Sequence, residues 1–361
     1  VIDDGFYLAN ILFRNLLASG RILDQWDFVD GDSISVIVDS LKSSHGANVL
    51  SVIGGEFPEL FTGVAFHAHF LLYRAEDGES EYFVEEDFVA AAIERSVAKG
   101  ARIINISLGY RYDFDTLPDH PYSYFDGRTG PASKAALGAA KRNVLVVASM
   151  GNEHSYHPEE PNMTSPADAD SILSVGAMRD DNSACGFSSR GRTFDGRLKP
   201  EISAPGCPVP VSNSSTESGI AWWNGTSFAA PMVSGIAALV WQVNPAAHAQ
   251  DIRQAITMSG NRSNQPDTIV GHGLVNAMRA IQNLLNEPYV NFTLPGVILA
   301  AKRKSFTIGI LTVGQSRHKY FYTIKGQRKA VFSGEGLGYG DEMVWTPGHD
   351  LAYQVLFMVD R

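Results

Sequence analysis

Apolar positions over roughly the first 286 residues follow two alternating rhythms. Short runs rich in Val and Ile read as buried strands: "SISVIVDS" (33–40), "FHAHFLLYRA" (66–75), "ARIINISLGY" (101–110), "VLVVASMGN" (144–152) and "DSILSVGAM" (170–178). Between them, "EEDFVAAAIERSVAKG" (85–100) and "ASKAALGAAKRN" (132–143) carry helical spacing, the first with acids at its start and a glycine at its end. Strands apolar throughout, alternating with helices, predict an α/β fold with a mostly parallel sheet covered by helices on both faces. In such sheets function gathers at the carboxyl ends of strands. The segments "VID", "ISLG" and "ASMGN" fall at such ends.

The texture changes after "AIQNLLNEPYVNFTLPG". From residue 289 to 361, alternating runs such as "SFTIGILTV", "KYFYTIKG", "MVWTPG" and "YQVLFMVD" are split by Gly and Pro. They predict a small β-rich, sandwich-like module behind an α/β domain of residues 1–286. The stretch "SRHKYFYTIKGQRK" mixes bases with aromatics, as one solvated face of a β-hairpin does. The opening "VIDDGF" reads as the end of a strand, so the reading expects residues or a removed segment ahead of Val1.

Composition narrows the function. Of 361 residues, 44% are hydrophobic and 19% charged, the balance of a folded globular protein, and the length suits a large domain plus a small one. A net charge of -10 argues against a nucleic-acid partner, which would need clustered Lys and Arg. No apolar run is read as a transmembrane segment. The two cysteines, Cys185 and Cys207, form no CxxC pair and so suggest no structural zinc; the reading favours free thiols over a disulfide.

Candidate chemistry begins at "NGTSFAAPMVSGIAA" (224–238). Pro231 has no N–H and clashes with the carbonyl four residues back, that of Ser227. A helix here must therefore begin close to Ser227, leaving that serine where unpaired N–H groups and the dipole favour negative charge. Alone, Ser227 reads as the cap of a buried helix, the commoner use of serine. His45 in "SHGANV" precedes another apolar helical run, Asn152 ends a strand in "ASMGN", and "VIDDG" ends a strand with two carboxylates. Each is an ordinary capping or turn residue when taken singly.

Taken in order, "VIDDG", "SHGANV", "ASMGN" and "NGTSFAAPM" resemble the four signature segments of the subtilisin-like serine proteases, the subtilases. The likeness extends to "NISLG", "ADSILSVGA", "CGFSSRG", "KPEISAPG" and "GHGLVNA", spanning nearly all of residues 1–286. The resemblance implies a serine endopeptidase acting on polypeptides through an acyl-enzyme. It assigns Asp3 as triad acid, His45 as base, Ser227 as nucleophile and Asn152, with the Ser227 N–H, as the oxyanion hole. Asp39 lies six residues before His45, too near for the loop the family places there, so it reads as a strand-end or pocket-rim residue.

By the same resemblance, Ser107, Leu108 and Gly109 would pair with an extended substrate, and Ser149, Met150 and Gly151 would line the pocket for the residue before the cut. Thr164 falls near a position that is a pocket-floor glycine in many relatives, which implies a shallower pocket. The usual histidine segment, His-Gly-Thr-His-Val-Ala-Gly, is altered at Ala47, Asn48, Leu50 and Ser51. No cofactor is implied; calcium, common in the family, has no acidic cluster to which it can be assigned. A secreted or cell-surface bacterial enzyme, with a propeptide or N-terminal fragment as a further partner, is the setting the resemblance suggests. A non-catalytic binding protein on this fold and an esterase or ligase using the same triad stand as alternatives.

Overall fold

The computed structural model describes residues 1–33, 45–159, 161–213 and 216–285, and the backbone of five short strands beyond residue 286. The chain divides into two units, Val1–Leu285 and Asn286–Arg361.

The first unit is built on seven parallel strands: β1 (Ile2–Asp3), β2 (Ile22–Asp27), β3 (Phe70–Arg74), β4 (Ile103–Ile106), β5 (Leu145–Ser149), β6 (Leu173–Met178) and β7 (Ile202–Pro205). They lie in the order β7-β6-β5-β4-β1-β3-β2. The helices used below are α1 (His45–Gly54), α2 (Val84–Ala98), α3 (Pro131–Lys141) and α4 (Thr226–Val243).

Strand β5 shows why its sequence is apolar at every position. Val146 and Ala148 face a core made with Val89, Ala92 and Ile93 of α2 and Ala132, Ala136 and Ala139 of α3. Leu145 and Val147 face the opposite core, made with Ala229, Ala230, Val233, Ala237 and Val240 of α4. Successive side chains point to opposite faces, and both faces are covered. Small residues on α3 and α4 let the helices sit close to the sheet.

Helix α4 has 18 residues and is long and apolar enough to cross a membrane, which corrects the expectation that no segment qualifies. Two-thirds of it is buried inside this domain, and that burial accounts for its composition.

Topology selects where a site can form. The connections run from β1 to one side of the sheet (β2, β3) and then to the other (β4 onward), so the order reverses between β1 and β4. The crevice at the carboxyl ends of those two strands is the switch point, where open α/β sheets bind ligands. Asp3 ends β1, and Ser107–Gly109 follow β4.

In the second unit, Phe306–Gly309 pairs antiparallel with Glu342–Trp345. Lys319–Ile324 pairs antiparallel with both Gln327–Ser333 and Met358–Asp360. The facing of these small sheets, on which a sandwich depends, lies outside the described residues. So do the strand expected at 33–40 and Asp39 within it.

Cys185 and Cys207 are joined in a disulfide, correcting the expectation of free thiols. The register explains the meeting. Cys185 N–H donates to Ala177 O in β6, and Cys207 follows Pro205 of β7, whose register partner is Met178. The bond spans 22 residues, so it should stabilise the fold by about 3 kcal/mol through the unfolded chain. Urea unfolding of Cys185→Ser in a Ser227→Ala background, chosen to prevent self-digestion, should show a loss of that order against the same background with the bond intact.

Candidate active site

Two strand ends, two helix N-termini and one turn converge at the switch point. Asp3 is fully buried, and its Oδ1 lies 2.6 Å from Nδ1 of His45, whose side chain is about a third exposed. The neighbouring acid does something else. Asp4 Oδ1 accepts the Gly46 N–H at 2.8 Å, satisfying a donor in the first turn of α1. The two carboxylates of "VIDDG" are thereby separated, one on the imidazole and one on the helix end.

This geometry needs glycine at 46. A Cβ there would collide with the Gly5 carbonyl oxygen and come within 2.8 Å of Asp3 Cβ, and backbone cannot yield as a flexible side chain can. The altered positions of this helix have found partners. Ala47 and Leu50 are buried in a cluster with Phe6, Phe13 and Phe70. Asn48 Oδ1 accepts the Ser212 hydroxyl at 3.1 Å, and Ser51 Oγ accepts the Ser212 N–H at 2.9 Å. Those bonds tie α1 to strand β8 (Val209–Ser212), which pairs with β9 (Ile220–Trp223) leading into α4.

Ser227 is the second residue of α4, so the helix does begin at the serine. Pro231 stands in the second turn of this helix. Its missing N–H leaves the Ser227 carbonyl without a helical donor, and the Ser107 hydroxyl fills the place at 2.9 Å. The Ser227 hydroxyl in turn donates to the Ser107 carbonyl at 3.2 Å. The His45 ring packs against Phe228, the next residue, with centroids 5.6 Å apart.

Asn152 ends the turn after β5. Its side-chain oxygen accepts both the N–H and the hydroxyl of Thr226, at 2.9 and 3.0 Å. Because the Thr226 N–H can only donate, the atom facing it must be Oδ1. The amide Nδ2 is thus turned away and has no partner among the described residues. It is a fixed donor beside the start of a helix, where the Ser227 N–H also lacks a helical acceptor. Sequence reading missed Thr226 as the residue that orients this amide, although it adjoins Ser227 in the same motif.

The expected pocket residues divide into two sets. Ser107, Ser149, Leu108 and Met150 are all buried, and the last two place their side chains in the core, so they reach the groove through backbone only. Gly109 and Gly151 flank Thr164: a Cβ on Gly109 would strike the Thr164 hydroxyl, and one on Gly151 would lie 3.0 Å from its methyl. Thr164 therefore fills the space between Gly109 and Gly151, and its buried hydroxyl has no partner among the described residues. The adjoining Ser165 is anchored from below, its hydroxyl donating to Glu86 at 2.9 Å while Glu86 also bonds His120 and Tyr124.

Electrostatics centre on His45. Burial works to lower its pKa, but the Asp3 carboxylate and its hydrogen bond, then Asp4 and Glu76, outweigh it and push the group up to about 9. Glu76, just past β3, accepts the Tyr110 hydroxyl at 3.3 Å. Burial first, then Glu81 and Asp3, raise it to about 8. Among the described residues, groups of Asp, Glu, His or Cys close enough to share an ion occur only at Asp3, Asp4 and His45. Atoms of that group bond one another and the Gly46 amide.

Residues 1–273 match the sequence model of the subtilase family. A thermophilic serine proteinase of Bacillus sp. (strain AK1) is 27% identical over 264 residues, covering 73% of this chain and 57% of the relative. The serine protease AprX of Bacillus subtilis (strain 168) is 29% identical over 202 residues, 50% of this chain and 42% of the relative. The chain thus spans about half the length of these relatives. Among solved structures, the protease domain of PatA (S218A mutant) superposes with a TM-score of 0.61 at 27% identity, over 79% of this chain and 94% of that one. The prenylagaramide maturation protease PagA gives 0.60 at 25%, over 80% and 93%.

The charge arrangement makes a measurable claim independent of activity. By NMR, the His45 imidazolium should lose its proton at a pH of about 9, against the ordinary 6.5. Glu76→Gln removes a negative charge that favours the imidazolium, so its transition should move to lower pH; an unmoved transition would show that Glu76 does not act on the ring.

Proposed function

The chain belongs to the subtilase family, and we propose that it is a serine endopeptidase whose triad is Asp3, His45 and Ser227. The observation that carries the reading is the 2.6 Å bond from buried Asp3 to His45 Nδ1, on a ring that packs against Phe228, the residue after Ser227 in the first turn of its helix. With Nδ1–H held by the carboxylate, Nε2 is the basic atom of the neutral ring. The Ser227 hydroxyl leaves the Ser107 carbonyl and gives its proton to Nε2 as its oxygen attacks the scissile carbonyl carbon.

Asp3 stabilises the imidazolium so formed. The oxyanion takes hydrogen bonds from Asn152 Nδ2 and the Ser227 N–H. Collapse expels the amine, which takes its proton from Nε2, and leaves an acyl-enzyme. Water, deprotonated by the same nitrogen, then releases the acid. The substrate is an extended polypeptide lying along Ser107–Gly109 as an added strand. Location outside the cytoplasm, secreted or at the cell surface, accords with the Cys185–Cys207 disulfide, since such bonds persist in oxidising compartments.

A fluorophosphonate should attach to Ser227, located by mass spectrometry, and should not attach to Ser227→Ala; an unlabelled native protein that is folded would overturn the assignment. Asn152→Ala should lower kcat by about 10²–10³, the size seen when such a donor is removed from other enzymes of this kind, with little change in KM. Thr164 in the floor makes the pocket shallow, so peptide-library profiling should favour small or medium side chains before the cut. Strong preference for Phe or Tyr would contradict that role.

A further inference from the structure

Beneath Ser227 lies a chain of three buried polar side chains that the scheme above does not use. Ser234 Oγ donates to Asn105 Oδ1 at 2.8 Å, and Asn105 Nδ2 donates to Ser107 Oγ at 3.0 Å. Ser107 Oγ donates to the Ser227 carbonyl at 2.9 Å. Asn105, Ser107 and Ser234 are each no more than 3% exposed. Residues 227, 231 and 234 share one stripe of α4, facing β4, by the three- and four-residue spacing of a helix.

The direction of every bond follows from one fact. The Ser227 carbonyl can only accept, so the single proton of Ser107 must point to it. Ser107 can then only accept from Asn105, so Asn105 must present its NH₂ to Ser107 and its oxygen to Ser234. Asn105 is thereby the residue that fixes the Ser107 proton, and Ser107 replaces the helical donor that Pro231 lacks. Together with Asn152, which grips Thr226 on the other side, the chain holds the backbone on both sides of the nucleophile.

We propose that Asn105 is a positioning residue for Ser227, acting through the hydroxyl of Ser107, and that this buried relay keeps the nucleophile in reactive geometry. The inference rests on Ser227 being the nucleophile. Neither side chain touches the substrate in this scheme, because Ser107 meets the peptide through its backbone.

Three variants of the full chain test it, each with the rate of fluorophosphonate labelling and with kcat and KM on a peptide. Ser107→Ala keeps the backbone groove but bares the Ser227 carbonyl. Labelling and kcat should both fall about 10-fold or more, with KM changed less than about 2-fold. Ser107→Thr keeps the hydroxyl and should recover to within about 3-fold of native. Asn105→Asp has no donor, so both hydroxyls turn to the carboxylate, and the loss should match that of Ser107→Ala. Should the buried carboxylate prevent folding, the two Ser107 variants decide alone.

Labelling of Ser107→Ala at the native rate, a loss seen only in KM, or a fully active folded Asn105→Asp would overturn the proposal. If the native protein itself resists the probe, the endopeptidase assignment falls first and this inference with it. Native labelling with unaffected variants removes this inference only.

Discussion

The site depends on how closely the N-terminus of α1 approaches the end of β1. Parallel strands put carboxyl ends at one edge of the sheet, but that edge alone does not bring an imidazole to a carboxylate. The helix must come down until residue 46 touches the backbone at Gly5, an approach that any side chain at 46 would block. Asp4 holds the helix there through the Gly46 amide, and Asp3 is then left directly under the ring. Two adjacent carboxylates divide the contacts, one holding the helix end and one the imidazole, because successive residues at a strand end point in different directions.

The serine side follows a parallel logic with different parts. Proline in the second turn of α4 costs a helical hydrogen bond, and a buried carbonyl left bare would cost about 1–3 kcal/mol. The fold recovers that by turning a hydroxyl from β4's end into the gap. The result is a cross-link between the segment that follows β4 and the Ser227 peptide, with each serine bonded to the other's carbonyl. The proline is thus the reason the two segments are joined at that point.

Most of the sheet was legible in the sequence because parallel strands are buried on both faces, and unbroken apolar runs such as 144–148 have few other uses. The choice of Asp3 over Asp4 as candidate acid came from family resemblance, since nothing local in the sequence separates the two; the structure puts Asp3 on the imidazole and Asp4 on the Gly46 amide. Other features were beyond reach for a plain reason. The Asn105–Ser234 bond joins residues 129 apart, and the disulfide joins residues whose meeting depends on the register of β6 against β7. Spacing carries no trace of either. The four altered residues of α1 looked like losses against the family pattern. Asn48 and Ser51 instead bond β8, a partner that becomes visible only when the chain is folded.

Charge around His45 adds a constraint beyond the bond to Asp3. Glu76 holds its proton up to about 8, because it is buried and faces Glu81, Asp3 and Glu85, with His45 the one neighbour among its main partners that opposes this. His45 holds its own up to about 9, with Glu76 among the carboxylates responsible. The two titrations are therefore linked with a definite sign. As pH rises, Glu76 ionises first and the new charge makes the imidazole grip its proton harder, so the free base appears only at higher pH than in an isolated histidine. A basic group beside Glu76 would remove that linkage, and the described residues offer none paired with it. Glu76 thus acts on His45 in the same direction as Asp3 and Asp4, after both of them in weight.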